Sequence, residues 1–559
     1  MILHIFNKAN QEIRSIDIAS PATSCETKKS FICIPITQND LTLAGTKLCI
    51  RFDIPVIDIQ GYWMPAMKRP LIRHKWIINQ NSACQVHFPY FTFLRTDQKN
   101  AATFALSCVY DDVQIFAKMN QERCCYCCEI QVAICPETKP FSLYWSTVPK
   151  VWHELLHDYR QFIFPENQKN FSEAAFQPVY CTWYAVHAAL TGEFLDQNAK
   201  LASDLGFGTF IVDDGWCFDE MKRVTPKALE NWYQDIGNWT VSEKKLPSFK
   251  KHVKYAQSLG LRYLLWTSPF FLGARSPELK AVKDIPEAIS SVDGNSHVLI
   301  DPAYEPLVES TQKKLVDLVR ELDLDGLKVD FLDYIASDVE KPRGQICKKY
   351  FDSLFSSIRE VNPDALLEFR QSYATPQMLQ YGTQFRAGDV PFDFNENLNQ
   401  IAQIRIILGD KVPCHADPVY FHEQESLQNI SRHMIACLAG VPMFSMDLAK
   451  LKEEQYRTVK FWLDFYHKHF QTFAYGHWQV SYDYDHLSWL TVEGKDEKIM
   501  LLLNPDTVSK AFRDFKGHCF VLNLSDRNID NIPHARGFGC IGEDRQHIAI
   551  PGGGLQFEQ

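Results

Sequence analysis

The stretch TFIVDDGW, residues 209–216, runs four strand-favouring residues into two adjacent carboxylates, a glycine and a tryptophan. Thr, Phe, Ile and Val suit a pleated, buried surface, and the abrupt change at Asp213 is that of a strand ending at a polar face. Neighbouring carboxylates repel one another unless a cation or a ligand receives them. The alternative for Asp214 is an N-cap that starts the next helix. Seven further runs share the pattern: VYCTWYAV (179–186), RYLLWTS (262–268), GLKVDFL (326–332), LLEFRQS (366–372), QFRAGDV (384–390), KVPCHAD (411–417) and VPMFSMD (441–447). Longer amphipathic stretches separate them, so the region reads as βα units around a parallel sheet. Eight such strands close a (β/α)8 TIM barrel, in which function gathers where strands end and βα loops begin. Asp213, Asp214, Trp266, Lys328, Asp330, Arg370, Asp389 and Asp417 all fall there. The run HVLIDPA (297–303) competes for a place in the count.

The flanks have a different texture. From residue 30 to about 148, short apolar runs such as SFICIPI, TKLCIRFDI, HFPYFTFL, FALSC, VQIFAKM and FSLYW alternate with polar turns, which reads as an antiparallel β-sandwich. Val151, Trp152, Leu155, Leu156, Tyr159 and Phe162 then follow a helical period. After residue 448 an amphipathic helix, KEEQYRTVKFWLDFYHKHF, precedes the runs HLSWLTV, KIMLLL, CFVLNL and HIAI. The expected fold is multidomain: a central (β/α)8 TIM barrel flanked by N-terminal and C-terminal antiparallel β-sandwich domains. The expected boundaries are 1–150 for the first sandwich, 151–177 for a helical linker, 178–470 for the barrel and 471–559 for the second sandwich.

A chain of 559 residues, 46% hydrophobic, holds several cores. Its net charge of −10, without basic blocks, argues against nucleic acid or an anionic membrane as partner. The opening MILHIFNKANQEIRSIDI turns polar at Asn7 and lacks the apolar core of a secretory signal, so the expected location is cytoplasmic. Seventeen cysteines, an odd number set in apolar segments, read as free thiols. The cluster Cys124, Cys125, Cys127, Cys128 and Cys135 superficially suggests zinc, but no second ligand pair follows and its neighbours alternate like a buried strand. His187, His422 and His433 have no metal-ligand spacing, and neither a metal nor an organic cofactor is expected.

Cleavage of a glycosidic bond needs two carboxyl groups, one to protonate the leaving oxygen and one to act as nucleophile or to activate water. Asp330 at the end of the fourth strand and Asp389 at the end of the sixth form such a pair across one barrel face. Lys328 and Asp330, two residues apart, aim at the same side of their strand, where the ammonium favours an ionised carboxylate. Arg386 stands three residues before Asp389 and offers a fixed cation to a sugar hydroxyl or to that carboxyl. His415 is read as a hydrogen-bonded structural histidine or a pocket residue with Asp417.

Taken in order, YCTWYAVH, IVDDGW, GLRYLLW, LIDP, LKVDF and FRAGDV resemble the motifs of the melibiases, the α-galactosidases of glycoside hydrolase family 36 and their clan relatives. The resemblance covers roughly residues 178–450. It implies a retaining double displacement with Asp330 as nucleophile and Asp389 as acid/base. It also implies that Asp213 and Asp214 bind the galactose O4 and O6 hydroxyls, that Lys328 contacts the sugar, that Arg386 is similar to the arginine of the related lysosomal-type α-galactosidases, and that Trp183 and Trp266 stack on the sugar ring. The chain departs from the family after the fifth strand, where EFRQSYATP replaces a Cys-Ser-Gly-Gly segment, so that Glu368, Arg370 and Gln371 occupy the place of a substrate contact. It also lacks the Ser-Asp-Asp usual near the acid/base, and Asp393 competes for that role. The N-terminal domain is shorter than usual in the family. A small carbohydrate is the expected partner, and the apolar faces of the sandwiches leave room for a homo-oligomer. The alternatives are an α-N-acetylgalactosaminidase or other α-glycosidase, a raffinose-synthase-like galactosyl transferase, or a catalytically silent sugar-binding protein.

Overall fold

A computed structural model of the chain describes residues 1–18, 26–73, 75–165, 169–221, 232–293, 296–390, 392–508, 512, 515–530 and 532–558. Two six-stranded sheets form its N-terminal part. One contains Ile2–Phe6, Glu12–Asp17, Lys47–Pro55, Ile77–Ser82, Val113–Asn120 and Cys125–Ala133. The other contains Glu26–Lys28, Phe31–Ile36, Gly61–Trp63, Tyr90–Leu94, Asn100–Leu106 and Phe141–Ser146. Alternation along each strand sends one set of side chains between the sheets. Leu48, Ile50, Phe52 and Ile130 there meet Phe91, Phe104, Leu143 and Trp145. The rings of Phe52 and Phe104 touch edge to face at 5.0 Å. The strands at residues 2–17 extend this sandwich beyond the apolar runs that announce it.

Helix Trp152–Ile163 follows and buries Trp152, Leu155, Leu156 and Tyr159, the face its periodicity predicts. Eight parallel strands come next, numbered here β1 (Val179–Cys181), β2 (Thr209–Val212), β3 (Arg262–Thr267), β4 (Gly326–Val329), β5 (Leu366–Arg370), β6 (Gln384–Arg386), β7 (Cys414–His415) and β8 (Met443–Phe444). They pair in sequence order, and β8 returns to pair with β1. Single bridges His415–Val441 and Val419–Phe444 link β7 to β8 and bring the ring nearly to closure. The competing run HVLIDPA lies outside the barrel. His297–Ile300 pairs antiparallel with Phe271–Gly273 and Ile289–Asp293 in a three-stranded excursion between β3 and β4.

Helix Glu453–Lys468 leads to a single six-stranded C-terminal sheet ordered His477–Asp483, His486–Glu493, Glu497–Leu502, His518–Asn523, Gly554–Glu558 and Arg536–Phe538. It departs from the purely antiparallel expectation in one pairing, because Glu497–Leu502 and His518–Asn523 run parallel. The run HIAI contributes only the bridge Ile529–Ala549. No helix among the described residues is long and apolar enough to cross a membrane.

Cys125–Ala133 is a strand, as the alternation around the cysteine cluster requires. Ligand atoms of Asp53, Cys125 and Cys127 lie within 4.8 Å of one another on the outer face of that sheet. Arg123 donates from Nη1 to Asp53 Oδ2 at 2.5 Å and from Nη2 to Cys127 Sγ at 2.9 Å beside this group.

Candidate active site

The ends of β2 to β7 converge. Asp213, first after β2, ion-pairs through Oδ2 with Lys328 Nζ at 2.5 Å, and both are buried. This contact answers the repulsion that two adjacent carboxylates imply. Asp214 accepts a 2.7 Å hydrogen bond from Trp232 Nε1 and lies in a turn that starts no helix, so the N-cap alternative falls. Gly215 permits this turn. Its φ is +112°, and a Cβ there would come within 2.5 Å of the Ala188 backbone.

Asp330 follows β4 and is held on both oxygens. Trp266 Nε1 donates to Oδ2 at 3.1 Å; Arg370 Nη1 and the Phe331 amide donate to Oδ1 at 3.2 and 3.0 Å. Tyr373, whose hydroxyl is anchored on the Val329 carbonyl at 2.8 Å, stands 3.5 Å from the same Oδ1. Burial pushes the Asp330 carboxyl up, but the positive charges of Arg370, Lys328 and Arg386 outweigh it and leave the group below its ordinary value. An ionised, immobilised carboxylate results. Phe331 takes a left-handed φ of +59°, a conformation uncommon for a bulky residue and frequent at functional sites.

Asp389 lies just beyond β6, with its side chain 51% exposed. Arg386 Nη1 donates to its Oδ1 at 3.1 Å, and Arg370 Nη1 stands 3.8 Å from Oδ2. Burial again raises the carboxyl, and Arg386, Arg370 and Lys328 bring it below the ordinary carboxylate range. One nitrogen of Arg370 thus lies within ion-pair distance of both acids. The two nearest carboxylate oxygens are at most about 7 Å apart, which admits the roughly 5–5.5 Å of a retaining pair. Asp393 is engaged elsewhere, as the N-cap of helix Phe394–Leu408 accepting the Glu396 amide.

Beneath this pair lies a charged layer that strand register assembles. Arg370, Arg386 and His415 are successive partners across β5, β6 and β7, while Glu368 pairs with Lys328 one layer below. Arg386 binds Asp417 at 2.5 Å and lies 3.5 Å from Glu368. Asp417 also accepts from the Val390 amide at 2.9 Å and from the Tyr184 hydroxyl at 3.1 Å, tying the loop after Asp389 to β7. Burial pushes both Glu368 and Asp417 up to about 7, against the pull of nearby cations.

Two expectations change. Glu368 is 1% exposed and sits inside the barrel, so it touches Arg386 rather than a sugar. Trp266 is buried with its N–H on Asp330, so it positions that carboxylate instead of standing as an open wall. Trp183 is half-buried at the rim, 5.6 Å from the Trp232 ring, and remains available for stacking. Arg370 faces the gap between the acids. His415 is wholly buried, with Nε2 2.8 Å from the Ala175 carbonyl oxygen, which is the structural role. Sequence reading missed Trp232, Tyr184 and Tyr373. Tyr184 and Tyr373 each lie three residues past a strand end, after β1 and β5, but no spacing singled them out.

Residues 147–355 match the family model described as Melibiase. Among curated proteins, the chain is 21% identical over 307 residues to α-galactosidase AgaA of Geobacillus stearothermophilus, covering 51% of this chain and 40% of that protein. It is likewise 21% identical over 357 residues to the bifunctional α-galactosidase/sucrose kinase AgaSK of Mediterraneibacter gnavus, covering 60% of this chain and 37% of the relative. The aligned segments thus span about two fifths of these relatives. The solved galactosidase domain of AgaSK superposes with a TM-score of 0.62 at 14% identity, covering 100% of this chain and 88% of that one. A variant of the Geobacillus enzyme in complex with raffinose gives 0.62 at 16% identity over 80% of this chain and 67% of that one. Residues 147–355 thus match the melibiase model, and the fold is that of the solved family 36 α-galactosidases.

Proposed function

We propose that this protein is a retaining α-galactosidase whose catalytic unit is the barrel, residues 178–470. The observation that carries the reading is the pair Asp330 and Asp389, two carboxylates bridged by one arginine nitrogen at the strand-end face. Asp330 attacks the anomeric carbon as the bond to the aglycone oxygen breaks, and that oxygen takes the proton of Asp389. A water then attacks the same carbon, gives its proton to Asp389 and releases Asp330, so the configuration is retained. Asp213, Asp214 and Lys328 bind the hydroxyls of the sugar, and Trp183 packs on its ring. The substrate is a terminal α-linked galactoside, as the raffinose complex of the Geobacillus relative suggests. The cysteines described are all free, which supports a reducing, cytoplasmic compartment.

The test is hydrolysis of nitrophenyl α-galactoside by the wild type, Asp330→Ala and Asp389→Ala. The wild type should turn over, and azide added to Asp330→Ala should yield β-galactosyl azide. Asp389→Ala should lose about 100- to 10,000-fold on an unactivated galactoside. It should keep most activity on α-galactosyl fluoride, whose leaving group needs no proton. Turnover of a glucoside or xyloside alone would reject the substrate, and silence on every glycoside would leave a sugar-binding protein. Adding an acceptor sugar to the same assay separates hydrolysis from galactosyl transfer.

A further inference from the structure

Three aromatic rings climb from the floor of the site to solvent. Tyr184 is nearly buried, with its hydroxyl on Asp417. Its ring stacks on Tyr420 at 5.7 Å and 24°, and Tyr420 packs against Phe392 at 5.0 Å. Phe392 ends the climb 61% exposed, with a left-handed φ of +66°. An exposed phenyl ring in that backbone region is unfavourable twice over, once in hydration and once in strain. A ligand that covers the ring removes the first penalty. Phe392 lies three residues beyond Asp389, and the base of the stair is bonded to Asp417, the partner of the arginine that holds Asp389. The acid/base protonates the departing oxygen, so the leaving group lies on its side of the scissile bond, where Phe392 stands.

We propose that Phe392, backed by Tyr420, is the platform for the leaving group: a subsite that accepts a ring with an apolar face, either the next pyranose of an oligosaccharide or an aryl group. This rests on the glycosidase reading above. Tyr420 packs against the ring at a 44° tilt, which restrains the platform when it is empty. Specificity for the leaving group then depends on stacking rather than on hydrogen bonds, and rings of different hydroxyl pattern are accepted alike.

The experiment compares kcat/KM of the wild type, Phe392→Ala and Phe392→Trp on nitrophenyl α-galactoside, on a galactosyl-glucose disaccharide and on α-galactosyl fluoride. Fluoride presents the same sugar without a leaving ring. In Phe392→Ala the ratio of nitrophenyl galactoside or disaccharide to fluoride should fall roughly threefold to tenfold, and Phe392→Trp should restore it. A proportional loss on all three substrates would mean that Phe392 supports the Asp389 loop and would overturn the proposal, as would no change on any. A wild type inert on galactosyl fluoride would reject the galactosidase reading itself, and the platform with it.

Discussion

Arg370 is where the two candidate carboxylates meet, and with Arg386 and Lys328 its charge holds both below the ordinary carboxylate value against burial. With Arg386 it holds Asp389 below the ordinary carboxylate range, although an acid must carry a proton to work. The alkaline limb of the kcat/KM profile on an oligosaccharide should therefore lie at low pH. Arg370→Gln should move it upward, and an unmoved limb would separate Arg370 from the acid. Glu368 makes the opposite case. Its carboxyl is pushed up to about 7 by burial, and neither oxygen has a hydrogen-bond partner among the described residues. A carboxyl whose folded value is raised contributes stability that is present below its unfolded value and lost as pH rises through the folded one. Urea unfolding from pH 5 to 8 should show wild-type stability falling relative to Glu368→Gln as pH rises towards about 7 and levelling off above it. Parallel curves would disprove the raised value. At this scale Asp330 and Asp389 were legible because apolar runs break into charge at both. Glu368 was misread because it and Arg370 share a strand two residues apart, and only the register with β4 and β6 separates the buried layer from the open one.

The segment after β4 shows what an element owes to distant residues. Helix Gly344–Val361 has no side-chain cap of its own. Asp112 of the sandwich supplies one, accepting the amides of Asp338, Arg343 and Gly344 at 3.1, 2.9 and 2.7 Å. Gly344 can approach because a Cβ there would lie 2.2 Å from the Tyr110 carbonyl oxygen. Gln85 and Ser337 add hydrogen bonds across the same joint at 2.9 and 2.8 Å. The stretch thus clamped, residues 335–344, begins five residues after Asp330. Asp112→Ala leaves buried amides without a partner and should cost about 1–3 kcal/mol in urea unfolding. It should also lower kcat more than the same loss of stability placed in the C-terminal sheet. The elements themselves were legible from periodicity, as in helix Trp152–Ile163. Their caps were not, because Asp112 and Gly344 are 232 residues apart.

Across the molecule one apolar core is continuous. It joins Phe31, Trp63 and Tyr90 of the sandwich, Trp152 and Tyr159 of the connecting helix, Leu264 and Leu367 of the barrel, and Leu490 and Phe520 of the C-terminal sheet. Gln403, on a barrel helix, accepts from Trp63 Nε1 and donates to the Tyr482 hydroxyl, both at 2.8 Å, so one buried amide ties all three parts. The chain should therefore unfold in one calorimetric transition, and Gln403→Ala should lower Tm with little change in KM. Two resolved transitions would mean that the parts fold independently.

The sequence by itself marked eight candidate barrel strands, the strand-rich flanks and the two candidate carboxylates, since those follow from local periodicity and from abrupt changes of polarity along the chain. Tertiary structure alone decided that HVLIDPA stands outside the barrel, that Asp213 is neutralised by Lys328, that Asp393 is a cap and that Arg370 spans both acids. Each of these depends on which strands become neighbours and in what register, and closure of the ring sets that through contacts between residues far apart in the chain.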